Sequence, residues 1–122
     1  MGLRSRRKGQ VFERSVAAML RAVGFEAQRG FQSRGGGREE ADVVVQGVPV
    51  HIECKTGARP NVWAAWEQAN ADADEGAVPV VVMHRDQAAP GEGATELMVV
   101  GLDAGVAMLA HLHRTGFFEV KP

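Results

Sequence analysis

Two short β-branched runs, Val43-Val44-Val45 and Val50 to Cys54, are separated by Gln46-Gly47-Val48-Pro49 and constrain this chain more than any other stretch. Valine and isoleucine lose rotamer freedom in a helix and fit a pleated surface, while Gly and Pro in the connection reverse the chain. The pattern predicts a β-hairpin. Successive strand side chains point to opposite faces, so Glu53 and Lys55 share one face and Ile52 and Cys54 the other. Asp42 stands just ahead of the first run, and the hairpin loop decides where it falls. An even loop brings it to the face of Glu53, opposite His51 for two loop residues or opposite Glu53 itself for four; an odd loop without a bulge sends it to the other side.

In the even registers, strands roughly 5 Å apart bring both carboxylates within reach of one cation. Close carboxylates repel unless one is protonated or a cation lies between them, and hard oxygen donors suit Mg²⁺, with Mn²⁺ as a substitute, better than zinc. An ion held there lowers the pKa of a bound water and polarises a phosphodiester, with Lys55 orienting the water and neutralising charge beside it. Against this stands a plainer reading, a solvated sheet face whose cross-strand ion pair adds little stability.

Around the hairpin, Phe12, Val16, Met19, Leu20 and Val23 recur at helical spacing between Arg7 and Val23, with Gly24 as the stop. Glu13 lies at the edge of that stripe, and Arg14 points away from it, toward solvent or a phosphate. Phe25 to Phe31 reads as a short strand or a coil, and 33–40 as a flexible Gly-rich loop. Val62, Trp66, Ala69 and Ala73 form the stripe of a second helix closed by Gly76. Val78 to Met83 is an apolar run suited to a strand buried on both faces, and Glu96 to Val100 is a further strand. Asp103 is the expected N-cap of a last helix through about His113. The order is α-β-β-(β)-α-β-β-α. It predicts one α/β domain over 1–122, a mixed central sheet of about four or five strands flanked by helices, and the 45% apolar and 24% charged residues are an ordinary balance for it.

Several classes drop out. No apolar run is long enough for a membrane span, and no apolar signal segment follows Arg4, Arg6, Arg7 and Lys8, so a cytoplasmic protein is expected. The lone Cys54 excludes an internal disulfide and a Cys-rich zinc site and reads as a small buried side chain. His84, His111 and His113 have no ligand spacing on one helix face, and no second metal site is expected from them. Trp63 and Trp66 share a helix side and read as core or as a contact between copies before base stacking.

The net charge of −1 hides an asymmetry: residues 1–38 hold nine Lys or Arg against two acids, and residues 39–122 hold five against thirteen. A cationic region beside an acidic site suits a polyanion held against a metal, with the basic tail 1–8 supplying phosphate contacts through Arg6, Arg7 and Lys8. The alternative is a solvated tail.

Arg7-Lys8-Gly9, Glu13-Arg14, Gly24-Phe25 with Arg29 and Ser33, Asp42, and Glu53-Cys54-Lys55 together resemble the archaeal-type Holliday junction resolvases of the PD-(D/E)XK nuclease superfamily, from about Arg6 to Met83. The resemblance implies a restriction-endonuclease-like fold and catalytic roles for Glu13, Asp42, Glu53 and Lys55. It implies Mg²⁺ on Asp42 and Glu53, reached by Glu13 directly or through water. It also implies a homodimer that cuts two strands of a four-way DNA junction. Arg14, Arg29, Ser33, Arg34 and Arg38 join the basic tail as expected DNA contacts, and Gln68 matches a glutamine that some members of the superfamily place beside the metal. Ala41 stands where the superfamily's name has proline. The alternatives are a restriction-like or repair nuclease acting on ends or flaps, or a DNA-binding module without catalysis; a pure binder gains nothing from acids facing phosphates.

The charge asymmetry makes a prediction. Replacing Arg6, Arg7 and Lys8 together with alanine weakens DNA binding and lowers the slope of log affinity against log salt by roughly 2–3, because each lost phosphate contact releases about one counterion fewer. Filter-binding titrations across a salt series measure it, and an unchanged slope identifies these residues as solvated surface.

Overall fold

The computed structural model describes residues 3–30, 40–86, 91 and 93–119. Ser33, Arg34 and Arg38 lie outside them. The chain runs α1 (Leu3–Ala22), β1 (Ala27–Arg29), β2 (Val43–Val45), β3 (Val50–Gly57), α2 (Val62–Asp72), β4 (Val78–Arg85), β5 (Glu96–Val100), α3 (Leu102–Arg114) and a 3₁₀ turn at Phe117–Glu119. The strands form one sheet in the order β1-β2-β3-β4-β5. Neighbours are antiparallel except β3 and β4, which are parallel and joined through α2. This is the expected restriction-endonuclease-like mixed sheet, and the ambiguous Phe25–Phe31 segment contributes β1.

Each face of the sheet has its own helix because alternate residues of the central strands point opposite ways. On one face Val43, Val45, Ile52, Val80 and Val82 pack with Ala27 against Phe12, Val16 and Ala17 of α1. On the other, Val81 and Met83 meet Ala65 and Ala69 of α2, whose small side chains let the helix lie close to the strands. β4 is therefore apolar in succession, as a strand covered on both sides must be. The amide of Ala64 donates to the Asn61 side chain at 3.0 Å and caps α2. Among the described residues no helix is long and apolar enough to cross a membrane.

Several boundaries differ from the sequence reading. The first helix starts at Leu3, so Arg6, Arg7 and Lys8 lie on α1 and not on a tail ahead of it. Its buried stripe runs through Phe12, Val16, Ala17 and the partly buried Leu20, leaving Met19 and Val23 in solvent. Glu13 consequently lies within the sheet-facing side of α1 and not at its edge. α2 buries Ala65, Ala69 and Asp72, with Val62 and Trp66 of the predicted stripe partly buried against the same core, so the stripe ends on Asp72 where Ala73 was expected. Trp66 packs on the α2 side of the sheet, whereas Trp63 is 74% exposed. Gly101, not Asp103, caps α3; a Cβ there would meet the Trp66 ring at 3.2 Å. β3 continues past Cys54 to Gly57, which puts Lys55 inside the strand.

One glycine is demanded by a close approach. The Gly30 N–H donates to the Asp42 carbonyl at 2.9 Å, and a Cβ on Gly30 would lie 1.9 Å from the Ala41 carbonyl oxygen. Gly9, inside α1, is different: an added Cβ would have its nearest neighbour, Glu13 Oε2, at 4.0 Å. Gly30→Ala is therefore expected to destabilise the fold by about 1–3 kcal/mol through overpacking. Gly9→Ala is expected to stabilise it by about 0.5–1 kcal/mol by reducing the conformational entropy lost on folding. Urea unfolding midpoints with a common slope give both values; equal effects of the two substitutions would contradict this account.

Candidate active site

The hairpin loop has the four-residue register. Val43 pairs with Ile52, and Asp42 departs from that register, its N–H directed to the Ile52 carbonyl. Paired ladder geometry stops at that point, and Asp42 occupies a bend held by three hydrogen bonds. Its N–H donates to the Ile52 carbonyl at 2.9 Å, its carbonyl accepts from Gly30 N–H at 2.9 Å, and its carboxylate Oδ2 accepts the Cys54 N–H at 2.7 Å. The carboxylate thus takes an amide of β3 as a backbone carbonyl would, and its position follows from the sheet itself.

The electrostatics around Asp42 are those of crowded acids. Burial pushes its carboxyl up from the usual 3.8 to about 7; the Cys54 amide opposes this, the charges of Glu53 and Glu13 add to it, and Lys55 works against it. Glu53, Glu13 and Lys55 are thus near enough for their charges to be felt at Asp42. Glu13 is held by Arg29 of β1, whose Nε donates to Oε1 at 3.0 Å in a partly buried pair. Burial, with the charges of Asp42, Glu13 and Glu53 added, pushes the Cys54 thiol far up, so it stays protonated and unreactive.

The α2 side adds residues that sequence reasoning missed. His51 and Glu53, two apart on β3, are both buried, with His51 Nε2 3.6 Å from Glu53 Oε1. Asp72, from the last turn of α2, is also buried. One ring nitrogen of His51 and one oxygen of each carboxylate all lie within 4.8 Å of one another. The Gln68 amide donates to the Asp72 carboxylate. The alternation of His51 with Glu53 was visible in the sequence; Asp72, in a helix known only by its apolar stripe, was not.

The predicted cationic contacts divide. Arg6, Arg7 and Arg14 are exposed, whereas Lys8 Nζ bonds Asp86 Oδ2 at 2.9 Å and Arg29 is engaged with Glu13. Gln68 is turned to Asp72. Burial first, and the charges of Glu53 and Glu13 after it, raise the Asp42 carboxyl, but among the described residues the acidic group whose ligand atoms all lie within 4.8 Å of one another is His51, Glu53 and Asp72.

A family model described as "phage putative PDDEXK endonuclease" matches residues 4–92, well over half of the chain. No curated protein matches the sequence.

The raised Asp42 carboxyl has a pH signature. The folded state binds this proton more tightly than the unfolded chain, so its stabilising contribution is complete below about pH 4 and is lost as the pH rises through about 7. Asn in its place carries no charge and still accepts the Cys54 amide. Metal-free Asp42→Asn should therefore melt above the metal-free native protein at pH 8, by on the order of a few kcal/mol at most, with the difference closing toward pH 4. Thermal melts in chelator at both pH values measure it; parallel profiles for the two proteins would contradict the assignment.

Proposed function

Because the chain belongs to this phage PDDEXK endonuclease family, we propose that it is a Mg²⁺-dependent DNA endonuclease, with Asp42 and Glu53 holding the ion, Glu13 reaching it through water and Lys55 beside it. The observation that carries the reading is the electrostatic coupling of Asp42 to Glu13, Glu53 and Lys55 around one end of the central hairpin. When bound, the ion supplies a water of lowered pKa and a counter-charge for the phosphodiester. The chain does the rest. The Cys54 amide and the Gly30 and Ile52 backbone groups keep the Asp42 oxygens in place. The Lys55 ammonium, on the Glu53 face, positions the attacking water by donating to it and offsets the charge that develops on the phosphate. Arg29 keeps Glu13 turned toward the sheet. Arg6, Arg7 and Arg14, exposed on α1, are the phosphate contacts.

The preferred substrate is a four-way junction, cut by a homodimer. A junction is nearly two-fold symmetric, and one domain of this size carries one such site, so paired cuts require two copies. Support for assembly comes from α3, which has no buried residue and exposes Leu102, Val106 and Leu109 along one side. Trp63, Phe117 and Phe118 are exposed as well. Trp66, packed on the sheet, leaves the group of contact candidates.

The test uses labelled four-way junctions, flaps and linear duplex, with Mg²⁺ and with chelator. Cleavage should need the ion and favour the junction, with paired nicks from a protein that sediments as a dimer. Asp42→Asn, Glu53→Gln and Lys55→Ala should each reduce the rate about a hundred-fold or more while junction binding persists. Two of these variants cutting near the native rate would overturn the catalytic assignment. Equal cutting of linear duplex by a monomer would remove the resolvase reading and leave the nuclease.

A further inference from the structure

We propose that His51, Glu53 and Asp72 form a second divalent-cation position, joined to the Asp42 position through Glu53 and selective for ions that accept an imidazole, such as Mn²⁺, over Mg²⁺. The three residues are 5%, 9% and 5% exposed, and their ligand atoms lie within 4.8 Å of one another. Two come from alternate positions of β3 and one from the last turn of α2, so rigid elements and not loops set the spacing.

The ring nitrogen is the observation that points to an ion. His51 Nε2 is buried and makes no hydrogen bond, although Glu53 Oε1 lies 3.6 Å away. That is too long for a hydrogen bond. It is close to the separation of two donors on one ion, which is about 3.4 Å when each lies about 2.1 Å from the metal at a tetrahedral angle. An unpartnered nitrogen beside two carboxylates is a polar group that folded proteins rarely leave unused. A cation between them satisfies the nitrogen and offsets the two negative charges together. Imidazole is a ligand of borderline transition ions, whereas Mg²⁺ keeps to oxygen and water.

The surroundings support the same occupant. Gln68 donates to Asp72, as outer partners commonly fix the orientation of a ligating carboxylate. His51 also lines a cleft of about 310 Å³, together with Glu40, Asp74 and mainly apolar side chains. The link to the Asp42 position rests on the proposed function, whereas the His51, Glu53 and Asp72 position itself is read out without nucleic acid.

Mn²⁺ is added to the metal-free full chain carrying ¹⁵N-labelled histidine, and pulsed electron paramagnetic resonance reads the coupling of a directly bound imidazole nitrogen. The native protein should show that coupling. Asp42→Asn and His84→Gln should keep it, and His51→Gln should lose it. Asp72→Asn, which retains the imidazole, should weaken Mn²⁺ affinity by about ten-fold or more. Absence of nitrogen coupling in the native protein overturns the proposal whatever the variants do. So does coupling that survives His51→Gln, or unchanged affinity in Asp72→Asn. Loss of DNA cleavage in Asp42→Asn with the nitrogen coupling intact would separate this position from the catalytic one.

Discussion

The hydrogen bond from the Cys54 amide to the Asp42 carboxylate, 2.7 Å long, joins the two strands where their ordinary ladder stops. A carboxylate accepting a backbone N–H is among the stronger hydrogen bonds a sheet offers, and this one closes the hairpin with a side chain that would otherwise face its neighbours' charges. Its geometry depends on two further backbone bonds and on Gly30, whose missing Cβ lets the Ala41 carbonyl approach. The remaining acids and bases take their meaning from that fixed point. Glu53 and Lys55 on β3 and Glu13 on α1 act on it through their charges.

Such a cluster is unfavourable in isolation. Desolvation and the neighbouring acids hold the Asp42 proton to about neutrality, and the offsetting groups near it are the Cys54 amide and Lys55. Arg29 meets Glu13, and Gln68 meets Asp72. These partners orient the carboxylates, and in the proposed reading a divalent ion would offset the charge that remains.

The parallel pair at the centre explains how acids can be buried in so small a protein. Placing β4 beside β3 through the α2 crossover covers both faces of the central strands, and Val80 to Met83 fill both sides in alternation. The apolar cores on the two sides hold the sheet while the ends of β2 and β3 and the last turn of α2 carry the charge. α3 takes little part in this packing, which is why its apolar side is left to solvent.

Local rules carried far in this chain. The period of two along Val50 to Lys55 put Glu53 and Lys55 on one face, and Gly and Pro in the connection specified a hairpin, because both depend only on neighbouring residues. The helix of Glu13 and the doubly buried strand followed from apolar spacing in the same way. Other features were decided by contacts between distant segments. Where Asp42 stood depended on the loop register, set as Val43 and Ile52 paired and packed against α1, and on the bonds to Gly30, Ile52 and Cys54 that hold it outside that pairing. The junction of His51 with Asp72 joins positions twenty-one residues apart through a crossover whose docking is set by small alanines meeting Val81. Apolar periodicity is blind to a carboxylate in a buried stripe, so Asp72 was hidden in the sequence. Its place beside His51 and Glu53 arose only when α2 folded back across the sheet.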